Sequence, residues 1–310
     1  MIGLTPVLLF VYRRRDLLPR VLDAFEACWG FADHPVTVYS DGPRDAAVAA
    51  DVADVRAYVR SRLRPNMQLI ERDCNLGLAA SIIAGVDAAC AEYGAAIVIE
   101  DDLLLSPGAL VWFEKGLTNY QDVPEVMQVS GFIFDVSSIR RAGRAVFLPH
   151  PTSWGWAVWA RSWHHFDADC GGWDDRLRDA DFRARFEVGR TQRFVAMLRS
   201  QMSGRSDSWA IRWHYSVIAR RGLVLYPPQT FIENIGRETG GATHGQRSAG
   251  LLPFGLPWRK PGLPPLPDRI ALDTKALRSY VHRMRLSLFG LSQMAAALRD
   301  RLRSRRHPST

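Results

Sequence analysis

Between residues 5 and 130 the chain alternates short apolar runs with longer segments of helical periodicity, a rhythm that few folds accept. The strand candidates are PVLLFVY (6–12), VTVYS (36–40), MQLIE (67–71), AAIVIE (95–100) and VMQVSGF (126–132). Strands joined through helices run parallel, because the crossover returns the chain to the starting edge of the sheet. The clearest helix is NLGLAASIIAGVDAACAEYG, where Leu78, Ile82, Val86, Ala89 and Tyr93 recur at three-to-four spacing and Gly94 is the stop. The fold class expected is α/β, a mostly parallel sheet flanked by helices. Ligands bind such sheets beyond the carboxyl ends of the strands, and Asp41, Asn75 and the triplet Glu100, Asp101, Asp102 all fall there.

The second half reads differently. Residues 150–226 are dense in Trp and mostly helical in pattern, and 227–250 are polar and Gly-rich. Prolines cluster from Pro253 to Pro267 as in a linker. Beyond them Leu277, Tyr280, Val281, Met284, Leu288, Leu291, Met294 and Leu298 form the apolar side of a basic amphipathic helix. From Lys275 onward there are nine basic residues and one acid, which accounts for the whole net charge of +8. The neutral body argues against a nucleic-acid enzyme, while the tail suits an anionic membrane surface. A helix packed on the body or an arm with no partner is the alternative.

At 310 residues with 47% hydrophobic side chains, the chain can build a real core. Cys28, Cys74, Cys90 and Cys170 show no CxxC spacing and read as free thiols of a reducing compartment. No apolar run approaches the roughly 18–20 residues that span a bilayer. The opening MIGLTPVLLFVYRRR carries its charges after the apolar run, so it reads as a first strand and not as a signal peptide.

The stretch AAIVIEDDLLLSPG places three carboxylates where a buried strand ends. At an effective dielectric near 20, two unpaired charges about 4 Å apart repel by roughly 4 kcal/mol, so a cation is needed. A glycosidase pair must straddle the scissile bond at roughly 5–9 Å, which adjacent residues leaving one strand do not do. Clustered hard oxygens instead suit Mg²⁺ or Mn²⁺, which take one or two carboxylates and complete their shell with water and diphosphate. A solvated acidic turn is the plain alternative.

Seven ordered motifs, LLFVYRR, YSDGP, NLGLAASI, IVIEDDLLLSP, TSWGWAVW, SDSWAIRW and ENIGRETGGATHGQ, make residues 5–250 resemble glycosyltransferases of the GT-A (Rossmann-like) fold. The group is that of N-acetylglucosaminyltransferase I and related bacterial sugar transferases. The resemblance implies that Val11, Tyr12 and Arg13 lie under the base and diphosphate of a nucleotide, and that Asp41 accepts from the uracil edge, with Asn75 beside it. It implies further that Asp102 touches a divalent metal, and that Glu100 and Asp101 face the ribose, sugar hydroxyls or the metal's water shell. Asp207 lies where a base for an inverting displacement is expected, although Asp and Ser near a helix start are also ordinary caps.

Trp154 and Gly155 are donor-pocket candidates, whereas Trp156, Trp159 and Trp163 recur at helix-like spacing and either fill the core or line a sugar site. His244, among Gly236, Gly240, Gly241 and Gly245, is a candidate metal or diphosphate ligand on a loop that closes over the donor. Arg237, Glu238 and Thr239 stand where the bacterial relatives carry an Asp-Gly-Ser-Gly run. His164 and His165, beside Asp167 and Asp169, read as a solvated turn.

The organisation expected is a transferase domain over 1–250, with a nucleotide-binding half (1–135) and a Trp-rich acceptor half with the lid loop (136–250). A Pro-rich linker (251–272) and a basic amphipathic tail (273–310) follow. The function expected is metal-dependent, inverting transfer of a sugar, such as an N-acetylhexosamine, from a UDP-sugar to a surface glycan or lipid-linked precursor. The location expected is cytoplasmic, with peripheral attachment to the inner face of the membrane. A nucleotidyltransferase and a non-catalytic membrane-surface protein are the alternatives; against the first, no Gly-rich run followed by Lys lies near the first strand to grip a triphosphate.

Overall fold

A computed structural model describes residues 4–191, 193–236, 257–258 and 262–286. The first half follows the alternation: β1 (Val7–Val11), α1 (Leu18–Glu26), β2 (Val36–Ser40), α2 (Ala49–Arg62), β3 (Met67–Glu71), α3 (Leu78–Tyr93) and β4 (Ala95–Glu100). Then come β5 (Leu103–Leu105), α4 (Ala109–Asn119), β6 (Val126–Ser130), α5 (Ser137–Ala142), β7 (Val146–Leu148), β8 (Trp156–Trp159) and α6 (Ala160–Trp163). The last elements are α7 (Trp173–Arg178), α8 (Ala180–Phe186), α9 (Phe194–Met202), α10 (Trp209–Ala219), β9 (Leu223–Tyr226) and β10 (Ile232–Asn234), with a further helical segment over 274–286.

The fold class is α/β. Eight strands form one sheet in the order β3-β2-β1-β4-β8-β6-β9-β7, parallel except for β7 and β8. Every residue of β1 is buried, because neighbours flank it and helices cover the sheet, and this is why the strand reads as an unbroken apolar run. At the edge, β3 alternates between half-buried and exposed positions. Gly94 ends α3 with φ +77°, a left-handed turn that glycine enters without steric penalty, and its N–H closes on the Cys90 carbonyl at 3.0 Å.

The Trp-rich half departs from the helical expectation. Trp156–Trp159 form β8, an antiparallel strand between β4 and β6, and both faces of it are buried. Its tryptophans fill the core, as one of the two readings held. Trp156 stacks on Trp209 with ring centroids 4.9 Å apart, and the Trp159 indole donates to the Leu117 carbonyl at 3.0 Å. Helices α7 to α10 enclose a smaller core of their own around Phe182, Phe186, Leu198 and Tyr215. A separate two-stranded ribbon pairs β5 with β10, Asn234 lying opposite Leu103.

The Pro-rich stretch and the start of the tail, where described, are not set apart from the body. The Ala145 N–H donates to the Pro265 carbonyl (2.9 Å), Lys115 to the Pro264 carbonyl (3.1 Å), and the Asp273 N–H to the Phe147 carbonyl (3.0 Å). Asp273 then caps the final helix by accepting from the Ala276 N–H at 2.8 Å. Ala276, Tyr280 and Met284, at 6%, 2% and 1% exposure, join the main core, so the apolar stripe is already used through residue 284. What the membrane expectation retains lies in 287–310, outside the described residues. No helix among the described residues is long and apolar enough to cross a membrane.

A Tyr280→Ala variant is therefore expected to lose about 3–5 kcal/mol of stability, as large-to-small changes in cores do, read from urea denaturation. An unchanged midpoint would show that the helix is not part of the folded body.

Candidate functional site

The carboxyl ends of β1, β2 and β4 and the start of α3 enclose a cleft of about 510 Å³. Phe10, Val11, Tyr12, Arg13, Arg14, Tyr39, Asp41, Asn75, Glu100 and Asp101 all line it. Sequence-predicted residues from four separate strand ends and turns thus converge on one concavity. The cause is topological: β1 lies between β2 and β4, with Phe10 in register with both Tyr39 and Glu100.

Asp41 is fixed by backbone. Its carboxylate accepts from the N–H groups of Gly42, Leu76 and Gly77 at 3.1, 2.9 and 2.9 Å, and so shapes the loop that leads into α3. Asn75 ties the same loop back by donating to the Gly42 carbonyl at 2.7 Å. A carboxylate has about four acceptor positions, so one remains for a ligand donor.

The cation that the triplet demands is Arg14. A single nitrogen, Nη1, lies 3.0 Å from Asp101 Oδ1 and 2.7 Å from Asp102 Oδ2, and the Tyr12 N–H donates to Asp101 Oδ2 at 3.1 Å. Burial disfavours charge on the guanidinium, but Asp101 and Asp102 overcome it and raise the Arg14 pKa. Burial pushes Asp101 up to about 6 against the pull of Arg14, and it raises Asp102 as well. Glu100 is raised well above the carboxylate range by burial first and then by its two acidic neighbours. Sequence reasoning chose Arg13, which lines the cleft, and missed Arg14; nothing in a run of three arginines says which one turns inward.

Asp102 is also the foot of the second ribbon. The Ile235 N–H donates to its carbonyl at 2.9 Å, and the Asn234 side chain helps hold its carboxylate. Gly236 packs so closely that a Cβ there would overlap the Asp102 carboxylate. The stretch that carries His244 therefore starts at Asp102, although His244 itself lies outside the described residues. Asn234 was inside a recognised motif but had no role assigned from sequence.

A divalent cation fits this donor set in one manner only. Among the described residues no three side chains form an all-protein cage. Asp102 and Asp101 supply hard oxygens to one side, which matches a Mg²⁺ or Mn²⁺ ion that draws its other ligands from water and phosphate.

Other candidates lie elsewhere. Trp154 lines a second, aromatic cleft of about 230 Å³ together with Phe132, His150, Met197, Trp209 and Tyr280. Gly155 is among the lining residues of neither cleft and packs under the Ile232 side chain of β10. Asp207 precedes α10, where Ser208 and not Asp207 is the cap, and its exposed carboxylate pairs with Arg212 at 2.7 Å. His164 and His165 sit at the turn after α6, and Asp167 folds that turn by accepting from the N–H groups of Asp169 and Gly171, which agrees with the solvated-turn reading.

No family model matches the chain, and no curated protein is similar to it. Among solved structures it is similar to a mannosyltransferase, PcManGT from Pyrobaculum calidifontis in complex with GDP-Man and Mn²⁺. Identity there is 14%, coverage 70% of this chain and 73% of that one, and the TM-score 0.39. It is also similar to S. aureus TarS, alone and as residues 1–349 in complex with UDP. Identity is again 14% and the TM-score 0.29, over 40% of this chain and 20% and 33% of those. At TM-scores below 0.5 these similarities carry no argument about chemistry.

Arg14→Gln is expected to cost about 3–5 kcal/mol, since it leaves buried carboxylates without their partner, while Arg13→Gln shifts the urea midpoint little; equal effects would refute the pairing. Acid should act through the aromatic cleft. Burial, then repulsion from His214, pushes His150 down to about 3, and burial pushes His214 down to about 4. Both lie below the ordinary value near 6.5, so the unfolded chain binds more protons. Their contribution is full above about pH 6.5 and declines as pH falls towards 4 and then 3, by about 1.4 kcal/mol per pH unit for each histidine. Denaturation from pH 7 to 4 should show this slope, reduced in His150→Phe.

Proposed function

We propose that this protein is a GT-A-type glycosyltransferase that moves a sugar, by our reading a hexose or N-acetylhexosamine, from a UDP-sugar donor to a surface glycan or its lipid-linked precursor. The observation that carries the reading is the convergence of Tyr12, Asp41, Asn75, Glu100 and Asp101 on one cleft at the carboxyl ends of β1, β2 and β4, with Asp102 joined to Asp101 through Arg14. That is where open α/β sheets bind ligands, and the seven motifs lie in the order that such enzymes share.

In this reading the base of the nucleotide lies on the β1 and β2 side. Tyr12 and the free acceptor position of Asp41 meet it, and Asn75 keeps the loop in place. Arg13 faces the diphosphate, and Glu100 and Asp101 take ribose or sugar hydroxyls. Asp102 would hold a divalent cation, whose charge stabilises the leaving diphosphate when it is bound. Arg14 pairs with the carboxylates of Asp101 and Asp102 and orients them until then.

Transfer by inversion needs a base. The acceptor oxygen attacks the anomeric carbon, the bond from that carbon to the diphosphate oxygen breaks, and the hydroxyl proton passes to a carboxylate. Asp207 is our candidate: Arg212 pairs with its Oδ1, which leaves Oδ2 to accept that proton.

The test is hydrolysis and transfer with a panel of nucleotide sugars, with and without Mn²⁺. One donor should turn over only with metal. Asp102→Asn should abolish turnover and weaken metal-dependent nucleotide binding, and Asp207→Asn should cut turnover about a hundredfold or more with donor binding retained. Turnover of nucleoside triphosphates without use of any nucleotide sugar would replace this reading with nucleotidyl transfer.

A further inference from the structure

The aromatic cleft holds chemistry that the donor site leaves unused. At about 230 Å³ it is smaller than the roughly 300–1,000 Å³ typical of drug-sized ligands, so it seats one ring and not a chain. No Asp, Glu, Lys or Arg is among the described residues that line it. A charged group entering would lose its hydration and meet no counter-charge. A ring with an apolar face loses little, because Trp154, Trp209 and Phe132 offer aromatic surface.

Two histidines set the polar requirement. His150 is 2% exposed, and neither of its ring nitrogens has a hydrogen-bond partner among the described residues; Nδ1 of His214, also 2% exposed, has none either. Buried polar atoms are nearly always paired, so two incomplete imidazoles on one small cleft point to a ligand. The His150 ring is held between Tyr226 and Tyr280, with centroids 5.5 and 5.0 Å away, and Tyr226 donates to the His150 carbonyl at 2.7 Å. Burial keeps both imidazoles neutral at pH 7. The neutral His150 ring offers one donor and one acceptor, and His214, whose Nε2 donates to the Phe186 carbonyl at 2.9 Å, offers Nδ1 as an acceptor; the set suits hydroxyl groups and not phosphate or carboxylate.

A short chain of contacts links the cleft to Asp102. Trp154 is next to Gly155, Gly155 packs under Ile232, and Asn234, two residues or about 7 Å along the same strand, holds Asp102.

We propose that the aromatic cleft is a subsite for one uncharged sugar ring of the acceptor, its apolar face on the tryptophans and a hydroxyl on His150. The word acceptor rests on the transferase reading; the sugar subsite does not.

The experiment is saturation-transfer NMR on the full chain with methyl glycosides of a hexose, an N-acetylhexosamine and a hexuronic acid. UDP binding and nucleotide-sugar turnover are followed separately. A neutral glycoside should bind, and the uronate should bind about tenfold more weakly or worse. His150→Phe should weaken the neutral glycoside about fivefold and yet raise Tm, because it removes orphaned polar atoms. Met197→Trp, which fills the half-buried mouth, should abolish binding. UDP binding should be unchanged in both variants.

Absence of any glycoside signal with wild type, equal binding of the uronate, or binding unchanged in both variants would overturn the subsite. If His150→Phe fails to fold, Met197→Trp decides. Glycoside binding without nucleotide-sugar turnover would leave the subsite standing and remove the transferase reading; turnover without glycoside binding would do the reverse.

Discussion

One guanidinium nitrogen makes the acidic end of β4 tolerable. Arg14 Nη1 touches both Asp101 and Asp102, and it can do so only because β1 and β4 are neighbours running the same way. Their register sets Phe10 against Glu100, so the turn after β1 and the turn after β4 leave the sheet side by side. The strand order β3-β2-β1-β4 is thus a condition for the site as well as a description of the sheet. Move β4 to the far edge and the carboxylates would be buried without compensation, at a cost no 310-residue domain easily absorbs.

The same pairing makes the site responsive. Burial raises the pKa of Asp101 and Asp102, and a positive charge that is shared between them opposes that rise. A second positive charge arriving on one carboxylate competes with Arg14 for it. Asp102 is connected onward through the Ile235 N–H and Gly236. The root of the glycine-rich stretch is therefore in direct contact with one of the two carboxylates that Arg14 holds.

Much of the first half was legible because buried parallel strands read as short apolar runs. The runs 36–40, 67–71 and 95–100 coincide with β2, β3 and β4, and Gly94 ends α3 as its sequence position suggests. The second half was less so. Trp156 and Trp159 stand three apart, which fits a helix; but β8 is buried on both faces and shows no alternation to mark it as a strand. At three residues each, β5, β7 and β10 are too short to show a period. The acidic triplet and Asp41 announced themselves by position at strand ends, whereas the inward turn of Arg14 and the covering of Tyr280 depend on tertiary neighbours that no local pattern contains.

Tyr280 stands against His150 and Phe134 in the wall of the aromatic cleft, yet it lies far along the chain from every strand of the sheet. Chains emerge from the ribosome amino end first, and domains fold largely in that order. The strand ends that form the cleft around Arg14 are synthesised early, while the aromatic cleft lacks one of its walls until the 274–286 helix has been synthesised and docked. Synthesis of this molecule thus delivers every segment around Arg14 before the last wall of the aromatic cleft exists.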